Sequence, residues 1–413
     1  MTAETKGALH GVRVLDMSRV LAAPWAGQVL ADLGADVIKV ERPGSGDDAR
    51  TYGAPLQDGA GNPTQESAFH LSANRNKRSL SVELSKAEGQ DIIRAIVPQM
   101  DVLIENFLPG TMQRFGLDYA SLRRINPRLV YCSLTGYGQD GPYAARPGYD
   151  AVFQAQSGMM SITGLPDGVP GGGPMKTGPS LVDVSTGMVA AIGILAALSH
   201  RDRISGEGQH VDAALLDTAF AMQSHAVQQY LVTGRQQERL GTVGNGGHPS
   251  RVFEAADGPI YISAGMQQHY VKLCEVLNIP ELSSDPRFAT SQLRFDHREE
   301  WNLVAEPLIR SRPKRELLDA LVAARVPAAI VNSYEEAFAD PHVRHRGLEV
   351  TMPHPTAKGG TATMVASPLR LSDTPVAYRR HPPLLGEHNA ELLSEFLGWS
   401  EERVTQAKAR GAI

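Results

Sequence analysis

One carboxylate stands at the mouth of an apolar run. In the segment 176–198, KTGPSLVDVSTGMVAAIGILAAL, Asp183 precedes a stretch, 188–198, in which every residue except Gly193 is apolar. So uniform a run has little wet face and predicts a buried helix, which puts Asp183 at its N-terminal entrance. The free N–H groups and positive dipole end found there favour an ionised carboxylate, the form that attacks a carbonyl. The same position suits a plain cap made by Asp183 with Ser185 and Thr186. Local sequence leaves both uses open.

Cations form the second set. Arg42 follows the second predicted strand, Arg114 follows the Asn106-Phe107 loop, and Arg75, Lys77 and Arg78 stand in ANRNKRS ahead of the third strand. Each suits a phosphate or carboxylate, although taken singly each is an ordinary surface charge. Other chemistries lack their patterns. The first strand leads into DMSRVLAAP rather than GxGxxG, which argues against a nicotinamide cofactor. Gly171 to Gly173 and Gly244 to Gly247 lack the lysine of a phosphate loop, His342 and His345 lack carboxylate companions for a metal, and no GxSxG elbow occurs.

The elements that must position these groups begin as a strand and helix alternation. Val12 to Asp16, Val37 to Val40, the alternating Leu80, Val82 and Leu84, Val102 to Ile104, and Leu129 to Leu134 read as strands. Between them run a helix from Pro24 to Leu33, one after a Ser85–Glu88 capping box, and one around Ser121 to Ile125. This predicts an α/β fold with a large doubly wound, Rossmann-like parallel sheet, whose ligands gather beyond the strands' carboxyl ends. The loops 17–23, 41–46, 105–110 and 135–149 are therefore the ones to inspect. After a second helical run near 213–231, the Asp257-Gly258 hairpin and short helices predict a smaller α+β domain. The expected division is 1–224 for the large domain, 225–325 for the small one, and 326–413 for a return to the large domain.

The 413 residues, 42% apolar and 21% charged with a formal net charge of −5, describe an ordinary globular chain with no basic footprint for nucleic acid. The first ten residues are polar and the apolar run, about 11 residues, falls short of the ~20 that span a bilayer. The expectation is a cytoplasmic or comparable soluble compartment with no membrane partner. Cys132 and Cys274 stand alone, which argues against a disulfide framework or a cysteine metal site.

Several ordered stretches resemble a known family: GVRVLDMSRVLAAPWAGQVLADLGADVIKVERPGSGDDAR, NRNKRSLSVEL, DVLIENFLPGTMQRFGLD, NPRLVYCSLTGYGQDGPY, RPGYDAVFQAQSGMMSITG, GPSLVDVSTGM and PPLLGEH. Together, from about Gly11 to Leu397, they resemble the family III coenzyme A transferases, the group that includes formyl-CoA and carnitine-related transferases. RVLAAP, GDDAR and LSANRNKRS are most similar to the succinate–hydroxymethylglutarate branch, which acts on dicarboxylates. The resemblance implies an interlocked homodimer that binds no permanent cofactor and no metal, with a CoA thioester as substrate. It also makes Asp183 the nucleophile, forming an aspartyl anhydride and then an aspartyl-CoA thioester. One thioester replaces another of similar energy, so no ATP site is required.

Other roles carry over one position at a time. Arg42 and Arg114 match CoA-binding arginines, Asn106 and Phe107 a CoA-lining loop, and Val82, Glu83, Leu84 and Ser85 the segment bordering the adenine. Leu21 and Ala22 match the CoA loop after the first strand, although members acting on formyl-CoA carry glutamine at the Leu21 position. Tyr149, with Asp150, matches a segment in which related 2-methylacyl-CoA racemases have His-Asp, so this chain lacks their second acid/base group. A dicarboxylate's remote end needs a cationic partner. Arg75 is the first candidate, with Arg251 and His248 behind it, and Gly244, Gly246 and Gly247 are expected to cover the substrate. An isomerase that uses Asp183 as a base and a non-catalytic CoA-binding protein are the alternatives.

Overall fold

The computed structural model of the chain describes residues 6–244 and 247–413. By contacts these divide into two units: Met160–Lys176 with Gln236–Arg344, and the remainder. The division falls elsewhere than at 225 and 325. Ala328–Ile330, expected to resume the large domain, instead hydrogen-bonds antiparallel to Gly258–Ser263 in the smaller unit's sheet, and the chain returns to the larger unit only at His345.

The larger unit is built on six parallel strands: β1 (Arg13–Asp16), β2 (Asp36–Glu41), β3 (Lys77–Ser81), β4 (Val102–Glu105), β5 (Val130–Thr135) and β6 (His210–Ala214). Their spatial order is β3-β2-β1-β4-β5-β6, the doubly wound arrangement in which the winding direction reverses between β1 and β4. Side chains alternate between two cores. Val14, Val37, Ile104, Val130 and Cys132 meet one set of helices, while Leu15, Ile38, Leu80, Leu103 and Tyr131 meet another. Fully buried strands covered on both faces in this way explain the nearly continuous apolar runs.

Two strands depart from the expected positions. β3 starts at Lys77 rather than Leu80, so Val82 to Ser85 lie beyond its carboxyl end. Lys77 and Arg78 hid this start because both are charged. Lys77 is nevertheless fully buried, its ammonium 2.7 Å from Asp16 on β1. β6 has a half-buried, partly polar N-terminal half, HVD, and carries no strand signal of its own. The capping box is absent: the Ser85 hydroxyl donates to Glu83 at 2.7 Å and Glu88 pairs with Arg410.

Helix α1 (Ala22–Asp32) follows β1, α2 (Asp150–Gln156) follows β5, and α3 (Leu181–His200) leads toward β6. α3 has 20 residues, not about 11, because its first two turns hold the polar VDVST sequence that the apolar count passes over. With the turn to Ser205 it is long and apolar enough, by length and composition alone, to cross a membrane. Val182, Ala190, Ile194 and Ala197 instead belong to the core shared with α1. Gly187 makes the close packing possible, since a Cβ there would meet the Ala22 carbonyl oxygen at 2.4 Å.

The smaller unit has a three-stranded antiparallel sheet, Ala328–Ile330, Gly258–Ser263 and Ser250–Ala255, in that order. Its own core includes Phe253, Ile260, Tyr270, Leu273, Trp301 and Leu317.

Candidate active site

The reversal between β1 and β4 places the loops that follow them side by side. The backbone between β1 and α1 is tightly held. Asn106, just past β4, accepts from the Arg19 N–H at 2.9 Å and donates to the Arg19 carbonyl at 2.7 Å. Val20 has φ = 71°, a conformation that costs a β-branched residue about 1–3 kcal/mol. Its N–H is gripped by both oxygens of Asp47, at 3.0 and 3.2 Å. Asp47 is in turn 2.8 Å from the Lys39 ammonium, both side chains being fully buried. Burial opposes ionisation of Asp47, but the Lys39 charge and backbone N–H donors outweigh it and hold the carboxyl well below its usual range.

This strapping shapes one wall of a cleft of about 200 Å3. Arg19 to Ala22 line it with Asn106 to Leu108, Leu134 to Gly136 at the end of β5, Arg146 to Tyr149, and Asp183. A second hollow, lined by Arg42, Asp47, Val82 to Ser85, Thr111 and Phe115, shares Arg19 and Phe107 with the first. The structure thus gathers the expected Leu21, Ala22, Asn106, Phe107, Tyr149 and Asp183 in one cleft. Arg42, Val82, Glu83, Leu84 and Ser85 gather in the hollow beside it. Arg114 lines neither; it is exposed on the helix Thr111–Phe115, donating to Thr111 at 3.3 Å. Arg19, Asp48 and Arg146 are cleft residues that sequence reasoning did not single out, although Arg19 and Arg146 stand in two of the loops marked for inspection.

Asp183 sits half-buried in the first turn of α3. The helix end does not do for it what the sequence suggested. The free N–H groups of Val182 and Asp183 are taken by one oxygen of Asp150, at 2.8 and 3.1 Å, and Gln154 donates to the other. Asp150, from the first turn of α2, therefore caps α3. Neither Asp183 nor Thr186 does so, and Thr186 donates back to Val182 within the helix. Among the described residues no side chain donates to the Asp183 carboxylate, and burial, with the nearby Asp150 charge second, pushes it up to about 7. Glu105, at the end of β4, is similar. Burial raises it to about 7 although it accepts from the Phe107 N–H at 2.8 Å. The site accordingly pairs a strained, well-held backbone wall with a carboxylate that has no cation partner among the described residues.

The candidates for a remote carboxylate lie elsewhere. Arg75 is buried, its Nε and Nη2 engaged by Asp32 at 3.0 and 2.5 Å and its Nη1 by the Val365 carbonyl at 2.7 Å. It ties α1 to the strand Thr361–Val365 with three of its five N–H donors and lines neither the cleft nor the hollow. His248 is buried in the smaller unit with its ring against Trp301. Burial, reinforced by Arg251, Arg294 and Arg298, depresses it to about 3, so it carries no charge at neutral pH. Arg251 pairs with Glu306. Gly244 and Gly247 also belong to the smaller unit, where a Cβ would strike Tyr261 Oη at 2.5 Å and Ser291 Oγ at 1.9 Å respectively. Gly246 lies outside the described residues.

Comparison with known proteins bears on this geometry. The family model described as CoA-transferase family III matches residues 9–389. A succinate–glutarate CoA-transferase of Agrobacterium fabrum is 44% identical over 391 residues, covering 94% of this chain and 96% of that protein. A human succinyl-CoA:glutarate CoA-transferase is 37% identical over 405 residues, covering 98% and 90%. Among solved structures, a CAIB/BAIF family protein from Brucella suis superposes with a TM-score of 0.84 at 38% identity, covering 95% of this chain and all of that one.

Proposed function

The chain belongs to CoA-transferase family III and is a CoA-transferase, and from that premise we propose that it moves CoA reversibly from succinyl-CoA to a second dicarboxylic acid, with Asp183 as covalent nucleophile. The observation that carries this reading is the Asp183 carboxylate. Among the described residues it has no ion-pair partner, and it stands in a cleft that adjoins the hollow bearing Arg42 and Val82 to Ser85.

The Asp183 oxygen attacks the donor's thioester carbonyl and expels CoA thiolate, leaving a mixed aspartyl–acyl anhydride. The thiolate then attacks the aspartyl carbonyl, releasing the first acid and leaving an aspartyl-CoA thioester. The acceptor carboxylate displaces the thiolate to form a second anhydride, and the thiolate attacks its acyl carbonyl, regenerating Asp183. A carboxylate raised to about 7 is substantially ionised at neutral pH yet more basic, and hence more nucleophilic, than a solvated one. Ala22 lines the cleft at the start of α1, where first-turn N–H groups lack intrahelical acceptors and suit developing oxyanion charge. Phe107 and Arg19, shared by both cavities, mark where the CoA arm passes from one to the other.

A carboxylate near 7 would also serve as a base at an α-carbon, which keeps the isomerase reading in view. Incubation with succinyl-CoA and a panel of acids separates the two. New thioester that forms only when an acceptor is present is the expected result. Loss of chirality in a 2-methylacyl-CoA without any acceptor would overturn it. The reading includes a homodimer, supported by the apolar α3 surface at Met188, Val189 and Ile192, 42%, 46% and 66% exposed. Light scattering at monomer mass would remove that part.

A further inference from the structure

We propose that Arg146 recognises the distal carboxylate of the acids exchanged at Asp183 and so sets a preference for dicarboxylates; this rests on the CoA-transfer reading above. With Arg75, Arg251 and His248 committed elsewhere, the remote carboxylate needs a different cation, and the cleft offers two. Arg19 is already engaged: its guanidinium is 3.4 Å from Asp48 and 5.2 Å from the Phe107 ring centre, and it also lines the neighbouring hollow. Arg146 has no acidic partner within ion-pair distance among the described residues, and it lines the cleft that contains Asp183 but not the neighbouring hollow.

Arg146 is an exposed loop residue whose placement is set by aromatic packing. The guanidinium lies 3.6 Å from the centre of the Tyr143 ring. Tyr143 stands edge-on to Tyr137 at 5.7 Å, and Tyr137 edge-on to Phe153 at 5.2 Å, Phe153 being fully buried in α2. Gly136 and Gly148 close on the same ring, where an added Cβ would come within 2.6 and 2.3 Å of it. Two residues beyond Gly148, Asp150 bonds the N–H of Asp183 itself. The segment 146–150, RPGYD, therefore fixes a free cation and the support of the nucleophile on one short stretch anchored at one ring. That is the property a recognition group needs if it is to hold the far end of an acid at a set distance from the reacting carbonyl.

The electrostatics agree. Asp48 and Asp183 make the cleft unfriendly to a dianion unless a cation answers the second charge. The planar fork of arginine binds a carboxylate in two-point fashion even near solvent. Tyr143 stacking leaves the edge donors of the guanidinium available while holding its plane. Both the donor's free end and the acceptor's far end fit this site, since each carries the same group and each is joined in turn to Asp183.

The test compares glutarate with pentanoate as acceptors, using butyryl-CoA as donor so that the donor itself carries no second carboxylate. Arg146→Gln is expected to lower kcat/KM for glutarate about tenfold to a hundredfold, chiefly through KM, with a much smaller loss for pentanoate. Arg146→Lys should fall between. Equal losses for the two acids, or a loss traced to weaker binding of free CoA in a titration, overturn the assignment, because a loop-structural or CoA-binding role would produce them. The wild type separates the underlying reading. If it forms no acceptor-dependent thioester even with succinyl-CoA as donor, or shows no preference for glutarate over pentanoate, the dicarboxylate-transfer reading fails and this proposal with it. A wild type that prefers glutarate and an equally selective Arg146→Gln defeat the proposal alone.

Discussion

Two carboxylates near the same strand ends, Asp47 buried and Asp183 half-buried, are driven in opposite directions. Asp47 and Asp183 both suffer desolvation as their largest perturbation, yet Asp47 is held far below the ordinary carboxylate range and Asp183 is raised to about 7. The difference is the neighbour. Asp47 faces the Lys39 ammonium at 2.8 Å and accepts from the N–H groups of Val20 and Ala49. Asp183 faces another carboxylate and accepts from no side chain among the described residues. Desolvation alone thus decides little; the partner determines whether a buried acid becomes a fixed strut or a reactive group. The strut pins the strained Val20 loop that forms the cleft wall, and the unpaired acid opens onto that cleft.

The largest expected effect breaks the comparison on the reactive side. Asp183→Ala, as a change to the proposed nucleophile, should lower CoA exchange by about 10⁴-fold or more, with CoA binding retained in a titration. Wild-type turnover in that variant would mean that the unpaired carboxylate is not the one that reacts. On the structural side, Lys39→Met leaves Asp47 buried without its counter-charge and should cost about 3–5 kcal/mol in urea unfolding. Adding Asp47→Asn to that variant should recover part of the loss, since the stranded charge is then gone. A loss below about 1 kcal/mol in the single variant would show that Asp47 is not the strut its geometry suggests.

The same contrast explains what the sequence made legible. The parallel sheet and its cleft-forming loops were readable because apolar strand runs and their spacing are local signals. Leu21, Ala22, Asn106 and Phe107 followed from motif resemblance and fall on one cleft. Long-range charge pairing was not readable. Lys77 looks like a surface lysine until Asp16, 61 positions earlier, comes to lie beside it. Arg75 looked like a ligand-binding cation for the same reason, its partner Asp32 being 43 residues away. At Asp183 the helix end was foreseen but its occupant was not, because Asp150 reaches the N–H groups from another helix. Arg146 stood in a loop already marked for inspection, but only the Tyr143 stack and the shared cleft distinguish it from other surface arginines.

A smaller effect sharpens the energetic meaning of the raised acid. Asp183 is neutral in both folded and unfolded chains well below pH 4. As pH rises it ionises first in the unfolded chain, near its ordinary value, and only near 7 in the folded one. The stability contributed by the protonated folded form is therefore complete below about pH 4 and lost as pH rises through about 7. Asp183→Asn should consequently be neutral at acid pH and stabilise the protein by about 2 kcal/mol at pH 8, a value reduced from the full shift because the residue is partly exposed. Urea melts at the two pH values read this directly. An equal effect at both would show that charge is not what strains the site.

The finest test weighs the two causes of the shift against each other. Burial is the larger and the Asp150 charge the smaller, so removing the charge alone should move Asp183 only part of the way back. With subsaturating acyl-CoA, kcat/KM should rise with pH with a midpoint near 7, reporting the free enzyme. In Asp150→Asn that midpoint should fall by less than one pH unit. Losing an oxygen that accepts from Val182 and Asp183 acts in the same direction, since freed N–H groups add positive potential at the α3 end. A fall of three units would make Asp150 rather than burial the dominant influence. A midpoint that stays or rises would mean that Asp150 contributes nothing to the shift, and the contrast with Asp47 would then rest on Lys39 and the backbone N–H donors that Asp183 lacks.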